Sequence, residues 1–158
     1  MTELHLHELS AANVVAANTL SLKPGQEQYV APVANSIAEA SVNADTMWPR
    51  VAMMGDEVVG FILGNFDKDA EEETHRCTVL RMNVDGEHQG EGIGTFLMNE
   101  FIDEARRRGF SRVTAVWEEG EMGPGEFFRS RGFTVRGDTP YGEVIGCLLY
   151  TSPSPRDS

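Results

Sequence analysis

Residues 89–94 carry the types and spacing that point most directly to chemistry. Glycines at positions 90, 92 and 94 leave backbone N–H groups uncovered where a helical pattern begins. Such donors, together with the positive end of a helix dipole, suit a diphosphate group, which a side chain at these positions would hold off. The alternative is a glycine-rich turn that only reverses the chain. The position between an apolar, β-leaning segment (residues 78–84) and a long amphipathic segment favours phosphate binding.

Two better-known phosphate loops are excluded by the same residues. The segment lacks the Gly-Lys-Ser/Thr of a P-loop. Gly90-x-Gly92-x-Gly94 is followed by Thr95 and does not give the G-x-G-x-x-G dinucleotide fingerprint.

The helix that must position the loop is predicted from Ile93 up to Gly109, whose type suits a helix end. Acid-to-base pairs four residues apart, Asp103 with Arg107 and Glu104 with Arg108, support the helix near its C-terminus. Its apolar residues recur at 3.6-residue spacing and predict one buried face, made of Ile93, Phe96, Leu97, Phe101 and Ala105.

Gln89-x-x-Gly92-x-Gly94 resembles the Gln/Arg-x-x-Gly-x-Gly/Ala signature of the GNAT superfamily of N-acetyltransferases. The resemblance extends over roughly residues 4–146, and segments 21–40, 48–50, 59–61 and 127–133 resemble the bacterial spermine/spermidine, or diamine, branch. Alternating strands and helices already predict an α/β layered domain. The resemblance further implies a mixed, mostly antiparallel sheet flanked by helices. That sheet is expected to splay between the strands ending at Val84 and Trp117, with acetyl-CoA in the cleft.

The resemblance also implies which residues hold acetyl-CoA. Backbone groups of Met82, Asn83 and Val84 are expected to hold the pantetheine and thioester, with the Val84 N–H as oxyanion donor. Glu121 stands where many relatives carry a CoA-contacting Asn. Phe128 stands where many carry a Tyr that protonates the leaving thiolate. The residues expected at the pyrophosphate are Gln89, Gly90, Glu91, Gly92, Ile93, Gly94 and Thr95.

Proton transfer is the demanding part of acetylating an amine, because an amine of pKa about 10.4 is mostly protonated at pH 7. Candidate bases are Glu118 and Glu121, directly or through water; the alternative is that both are surface carboxylates. Phe128 has no proton to give, so water, a nearby Tyr or direct proton pickup must replace the acid. Arg81 is interpreted as a buried paired cation or a substrate-orienting residue, not a proton carrier.

The remaining pattern predicts the elements around this centre. Strands are predicted over residues 4–9, 112–117 and from 133 onward, with a hairpin over 51–63 turning at Gly55. Helices are predicted over 11–20 after Ser10, from Gly25 with an interruption at Pro32 and a resumption after Ser36, and over 125–131. By resemblance the first helices form the lip of the acceptor site. Its acceptor-facing candidates are Gln26, Glu27, Gln28 and Tyr29, unless they form a solvated helix face.

Length and composition set outer bounds on the protein. The chain has 158 residues, enough for one domain, and a net charge of −12. That charge argues against nucleic acid and anionic membranes as partners and favours a small cationic amine. No segment resembles a membrane span or a leader, so we expect a cytoplasmic protein; a homodimer would follow the family's habit. Two cysteines do not make a disulfide framework, and no metal site is expected.

The C-terminal segment is interpreted separately. Residues 147–157, CLLYTSPSPRD, resemble the translation of a transposase adapter used in DNA library preparation. We therefore place the domain at residues 1–146 and treat 147–158 as a non-native tail, which would make Cys147 foreign and the final strand incomplete. A natural Ser/Pro-rich disordered tail is the alternative.

Three functions remain open at this stage. The first is an acetyl-CoA-dependent N-acetyltransferase for a small primary amine, with a diamine or polyamine such as spermidine or spermine as the first choice. The second is the same reaction on an amino acid, a peptide N-terminus or an aminoglycoside. The third is an acyl-CoA-binding protein without catalysis, which Phe128 motivates.

Overall fold

A seven-stranded mixed sheet organises the chain, and the computed structural model describes it over residues 3–149. The spatial order of the strands is β1-β2-β3-β4-β5-β7-β6, and every neighbouring pair is antiparallel except β4 and β5. This confirms the predicted α/β domain with a mostly antiparallel sheet. The strands are β1 Leu4–Glu8, β2 Met47–Met54, β3 Glu57–Phe66, β4 Cys77–Val84, β5 Arg112–Trp117, β6 Thr134–Asp138 and β7 Val144–Leu149.

The sheet opens between its two parallel strands. β4 and β5 pair only at Thr78 with Thr114 and at Val79 with Ala115, whereas β3 follows β4 up to the pair of Gly60 with Val84. Beyond Val79 the carboxyl ends of β4 and β5 therefore diverge. The predicted splay is confirmed, and it places the end of β4 at the edge of a cleft.

Helices cover both faces of the sheet: α1 Val14–Asn18, α2 Val33–Val42, α3 Ile93–Arg107 and α4 Gly125–Ser130. On one face, α3 buries the predicted residues Ile93, Leu97, Phe101 and Ala105 together with Met98; Phe96 is only half-buried. On the other face, residues of α1 and α2 pack against β2 and β3 in a second apolar cluster. The packing of α3 against β3 and β4 on the first face fixes the position of the helix, and so of the loop before it.

Two predicted helix boundaries were wrong. α1 begins at Val14 rather than at residue 11, because the Asn13 side chain accepts from the Ser10 N–H at 2.9 Å and holds the preceding residues in a turn. The residues before Pro32 form only the 3₁₀ turn Gln26–Gln28, and α2 starts before Ser36 rather than after it, so no helix is interrupted by Pro32. It occupies the N-cap of α2, which starts at Val33, because a proline with φ −58° and no N–H suits the beginning of a helix.

Three strands are longer than predicted. β2 and β3 extend the hairpin to residues 47–66, and Gly55 makes its turn with φ +63°. β7 continues through Cys147, Leu148 and Leu149, so those three residues are strand and not a disordered tail. The foreign origin of residues 147–158 stays a prediction, and residues 150–158 lie outside the described range.

Within residues 3–149, no helix is long and apolar enough to cross a membrane. Cys77 and Cys147 are free thiols, and burial raises the pKa of the Cys77 thiol to about 12, so this thiol is unreactive at neutral pH.

Gly64 brings β3 close to α3, and we expect Gly64→Ala to destabilise the fold by about 2 kcal/mol. A Cβ at this position would lie 2.9 Å from Cδ1 of Phe101 and nearer still to Cε1 of the same buried ring. Denaturant unfolding measures the change. Gly137→Ala, where nothing lies within 4 Å of a new Cβ, serves as the control and should stay within about 0.5 kcal/mol of the wild type. Equal stabilities for the two variants would contradict the close approach.

Candidate functional site

A cavity of about 690 Å³ occupies the cleft. Its walls come from the acceptor lip, which we define as residues 21–32, from the end of β4, from the loop before α3 and from the segment between β5 and α4. Fifteen of the predicted site residues line it: Gln26, Glu27, Gln28, Tyr29, Arg81, Met82, Val84, Gln89, Gly90, Gly92, Ile93, Gly94, Thr95, Glu118 and Phe128. Asn83, Glu91 and Glu121 are not among the lining residues.

The phosphate-sized loop has the backbone geometry that its glycines predicted. Gly90 and Gly92 adopt the left-handed conformation with φ +86° and +85°, and no atom lies within 4 Å of a Cβ built at either position. The positions where a side chain would stand at Gly90 and Gly92 therefore lie in open space at the cavity. Gly94 is constrained differently, since a Cβ there would lie 3.3 Å from the Phe127 ring.

The start of α3 offers free donors to this open space. Gly92 is the N-cap residue, and no side chain within residues 3–149 caps this end of the helix. The Phe96 N–H bonds to the Gly92 carbonyl at 2.9 Å, so the helical ladder begins there and the N–H groups of the first turn precede it. This is the arrangement in which an anion replaces a capping side chain.

Gln89 is held from two sides. Its amide nitrogen donates to the Gln26 amide oxygen at 2.7 Å and to the Val84 carbonyl at 3.0 Å. Its own amide oxygen accepts from Gln26 Nε2 at 2.9 Å. Gln89 therefore joins the end of β4, the loop before α3 and the acceptor lip. The sequence motif predicted its place in the loop, but not its contact with Gln26.

The end of β4 carries Arg81 and Asn83 with different surroundings. Arg81 is half-buried, lines the cavity and donates to Glu39 of α2 at 2.5 Å, so the paired cation predicted from sequence is confirmed although it is not fully buried. Asn83 is 3% exposed, and its amide nitrogen donates to the Ala31 carbonyl at 3.1 Å. The Asn83 side chain thus binds the lip and its backbone pairs with Phe61 of β3, so its role at the pantetheine stays a prediction.

Tyr29 packs against the segment between β5 and α4. A Cβ at Gly120 would lie 2.5 Å from the Tyr29 hydroxyl, and one at Gly123 would lie 3.3 Å from its ring. These glycines give the ring room at the cavity wall. All four acceptor-facing candidates, Gln26, Glu27, Gln28 and Tyr29, line the cavity, and their contact with the acceptor stays a prediction.

Carboxylates reach the cavity from three elements. Glu118 lies directly after β5, Glu143 directly before β7, and Glu27 in the lip. The strand register pairs Trp117 with Val144, so Glu118 and Glu143 leave the ladder at the same end. Sequence reasoning missed Glu143, because no pattern in one strand shows which distant strand will pair with it. Glu121 is exposed, and as a base it would have to act from outside this cavity lining.

Phe128 is fixed in an aromatic cluster. It is 3% exposed and stacks on Trp117 with centroids 5.0 Å apart and planes at 17°. The Trp117 indole N–H donates to Glu119 at 2.9 Å, and Arg129 bonds to the same carboxylate. These two bonds, that of Arg129 foremost, lower the pKa of Glu119. Sequence reasoning missed Glu119, whose contact to Arg129 depends on the turn before α4.

His88, directly before the loop, lies between two carboxylates. Its Nδ1 lies 3.0 Å from Asp85 Oδ2 and its Nε2 lies 3.6 Å from Glu57 Oε2. The hydrogen bond to Asp85 raises the pKa of His88 above its ordinary value, aided by Glu57 and Glu91 and opposed by partial burial. Protonated His88 therefore stabilises the folded state.

Because the folded-state pKa is raised, this contribution is complete below about pH 6.5, the ordinary histidine value, and is lost as pH rises through the higher folded value. We expect the stability difference between wild type and His88→Gln to be largest at pH 5 and to shrink toward pH 9. Thermal unfolding across that range measures it. A difference that grew with pH would contradict the ion pair.

The sequence profile of the Acetyltransferase (GNAT) family matches residues 15–133. N-acetyltransferase 8 of Mus musculus is 29% identical over 99 residues, which are 63% of this chain and 43% of that protein. The chain spans about half the length of the curated relatives it matches.

Solved structures share the fold. An acetyltransferase from Thermus thermophilus superposes with a TM-score of 0.70 at 18% identity, covering 95% of this chain and 100% of the other. The PaiA N-acetyltransferase of Thermoplasma acidophilum, solved in complex with coenzyme A, gives 0.62 at 17% identity over 94% and 99% of the two chains. Together with the profile match and the loop before α3, these similarities show that the chain belongs to the GNAT family of acetyltransferases.

Proposed function

We propose that the chain binds acetyl-CoA in the cleft and transfers its acetyl group to a primary amine, with a diamine or polyamine as the preferred acceptor. The observation that carries the proposal is the pair of left-handed glycines, 90 and 92, open to the cavity at the uncapped start of α3. Backbone donors and helix dipole there suit a diphosphate. The size of the cavity, about 690 Å³, is within the range of small-molecule sites.

The charge of the cavity supports a cationic acceptor. Glu27, Glu118 and Glu143 line it, and the lining cation, Arg81, is already paired with Glu39. The chain as a whole carries a net charge of −12, which attracts cations over a longer range. A diamine or polyamine presents one amine for reaction and leaves another ammonium for these carboxylates.

The residues supply the steps that amine acetylation needs. Bound acetyl-CoA supplies an activated acyl group. Glu118 is the lining carboxylate proposed to take the proton from the ammonium, directly or through water, which makes the nitrogen nucleophilic. The Val84 N–H, at the splayed end of β4, is proposed to stabilise the oxyanion. The leaving thiolate takes its proton from water or Tyr29, because Phe128 has none to give.

The test measures the turnover of acetyl-CoA in the presence of spermidine by the release of the free thiol of coenzyme A. We expect release that depends on both the amine and the protein, and less release with an amino acid, a peptide N-terminus or an aminoglycoside. Turnover of one of those instead would reassign the acceptor.

A non-catalytic acyl-CoA-binding protein is the second candidate, favoured by Phe128, which fills the family's acid position with a buried ring that has no hydroxyl. If acetyl-CoA binds tightly but no amine of the panel causes thiol release, this candidate is the one that remains.

A further inference from the structure

The acceptor lip depends on other segments for its order. Of residues 21–32, only Gln26–Gln28 form regular structure, a single turn of 3₁₀ helix. Segments with so little backbone ladder of their own open at low free energy unless outside contacts hold them. The side-chain bonds that reach the lip therefore decide how well it is ordered.

The lip is anchored at three places. At its start, the Gly86 N–H donates to the Ser21 carbonyl at 2.6 Å. At its end, Asn83 donates to the Ala31 carbonyl at 3.1 Å. Both of these anchors lead to β4 or the residues just after it. In the middle, the reciprocal amide bonds join Gln26 to Gln89.

The middle anchor differs from the others in what it touches. Among residues 3–149, the hydrogen bonds from the lip to the loop 89–94 are those of this amide pair. Gln89 immediately precedes Gly90, and Gln26 Oε1 also accepts from the Lys23 N–H at 3.0 Å, which closes the turn within the lip. One amide group thus orders the lip and contacts the loop.

We propose that Gln26 is a positioning residue that couples the two substrates, an inference that rests on the proposed function. When the diphosphate of coenzyme A occupies the loop 89–94, the loop orders the acceptor lip through Gln89 and Gln26. A diphosphate on the N–H groups of residues 90–95 fixes the loop and therefore the Gln89 side chain. Fixed Gln89 holds Gln26, and the ordered lip presents Glu27 and Tyr29 to the amine. Ordering that is completed by the first ligand need not be repeated for the second, which gives positive cooperativity. Because coupling is reciprocal, the amine must tighten coenzyme A by the same factor.

The first experiment measures this factor by calorimetry, as the ratio of coenzyme A dissociation constants without and with saturating spermidine. We expect a ratio of about fivefold or more in the wild type, the scale of ordinary allosteric coupling. Gln26→Leu removes the amide at similar length and should bring the ratio near one. Gln89→Leu breaks the same pair from the other side, and the double variant should lose nothing more.

Asn99→Leu is the control, since Asn99 is an exposed amide on α3 outside the cavity lining and no hydrogen bond of its side chain is seen within residues 3–149. It should keep the wild-type ratio. If spermidine is turned over, a ratio of one in the wild type, or an unchanged ratio in Gln26→Leu, overturns the proposal.

A second measurement separates this proposal from the proposed function. Hydrogen exchange of residues 21–32 is followed with and without coenzyme A, which needs no acceptor. We expect coenzyme A to slow exchange about fivefold or more in the wild type and in Asn99→Leu, and to lose that effect in Gln26→Leu. Absence of slowing in the wild type, or equal slowing in Gln26→Leu, overturns the coupling. A chain that acetylates no amine but shows the expected exchange contradicts only the proposed function.

Discussion

Gly92→Asp is expected to raise the dissociation constant of coenzyme A on the order of a hundredfold, with tenfold as the lower bound. The new carboxylate would occupy the place of the diphosphate. Gly92 is the N-cap residue of α3 and faces open space. An aspartate there places a negative charge beside the uncapped N–H groups of the first turn. It also repels a diphosphate, since like charges about 4 Å apart near a protein surface interact by about 4 kcal/mol.

Calorimetry gives the affinity, and Gly109→Asp controls for the strain. Gly109 follows the C-terminal end of the same helix with φ +90°, and nothing lies within 4 Å of a Cβ there. Both variants place the same side chain on a left-handed backbone, but only one faces the cavity. An unchanged dissociation constant in Gly92→Asp would show that coenzyme A binds elsewhere.

The double variant Glu118→Gln, Glu143→Gln is expected to lower kcat/KM for spermidine on the order of a hundredfold. Both carboxylates line the cavity at the end of the β5–β7 ladder. A charge-assisted hydrogen bond to an ammonium contributes about 1.5–3 kcal/mol, and each glutamine keeps the shape while losing the charge. We expect Glu118→Gln to lower kcat more, as the proposed base, and Glu143→Gln to act mainly on KM.

Glu126→Gln makes the same charge change at an exposed position on α4 outside the cavity lining and controls for the loss of net charge. Its kcat/KM should stay within about twofold of the wild type, because exposed charges contribute little. A double variant indistinguishable from this control would remove Glu118 and Glu143 from amine recognition.

The segment from β4 through α3 was predictable, because local signals agree there. Apolar spacing gave the buried face of α3, and the glycines at 90 and 92 adopt the conformation that only glycine enters freely. The splay between β4 and β5 followed from the resemblance to a family, not from periodicity. Val79 and Ala115 look like ordinary strand residues in the sequence.

The contacts that complete the site could not be read from sequence. Glu143 comes to the same end of the ladder as Glu118 only through the pairing of β5 with β7, and Gln26 meets Gln89 across 63 positions of sequence. Neither residue belongs to a motif, and both lie in polar segments where solvent exposure is the default. Local pattern ends where tertiary pairing begins. The late start of α1 has a local cause instead, the bond from the Ser10 N–H to the Asn13 side chain.

The place of β7 in the sheet bears on how a nascent chain folds. Once Val84 has left the ribosome, β1 to β4 can pair in the order in which they were synthesised. β5 then pairs with β4 through only two residue pairs. Its longer ladder needs β7, which is synthesised after β6 although it lies between β5 and β6 in the sheet. Until then Val113 and Trp117 lack their final covering, so the newly made second half of the protein exposes apolar surface longest during synthesis.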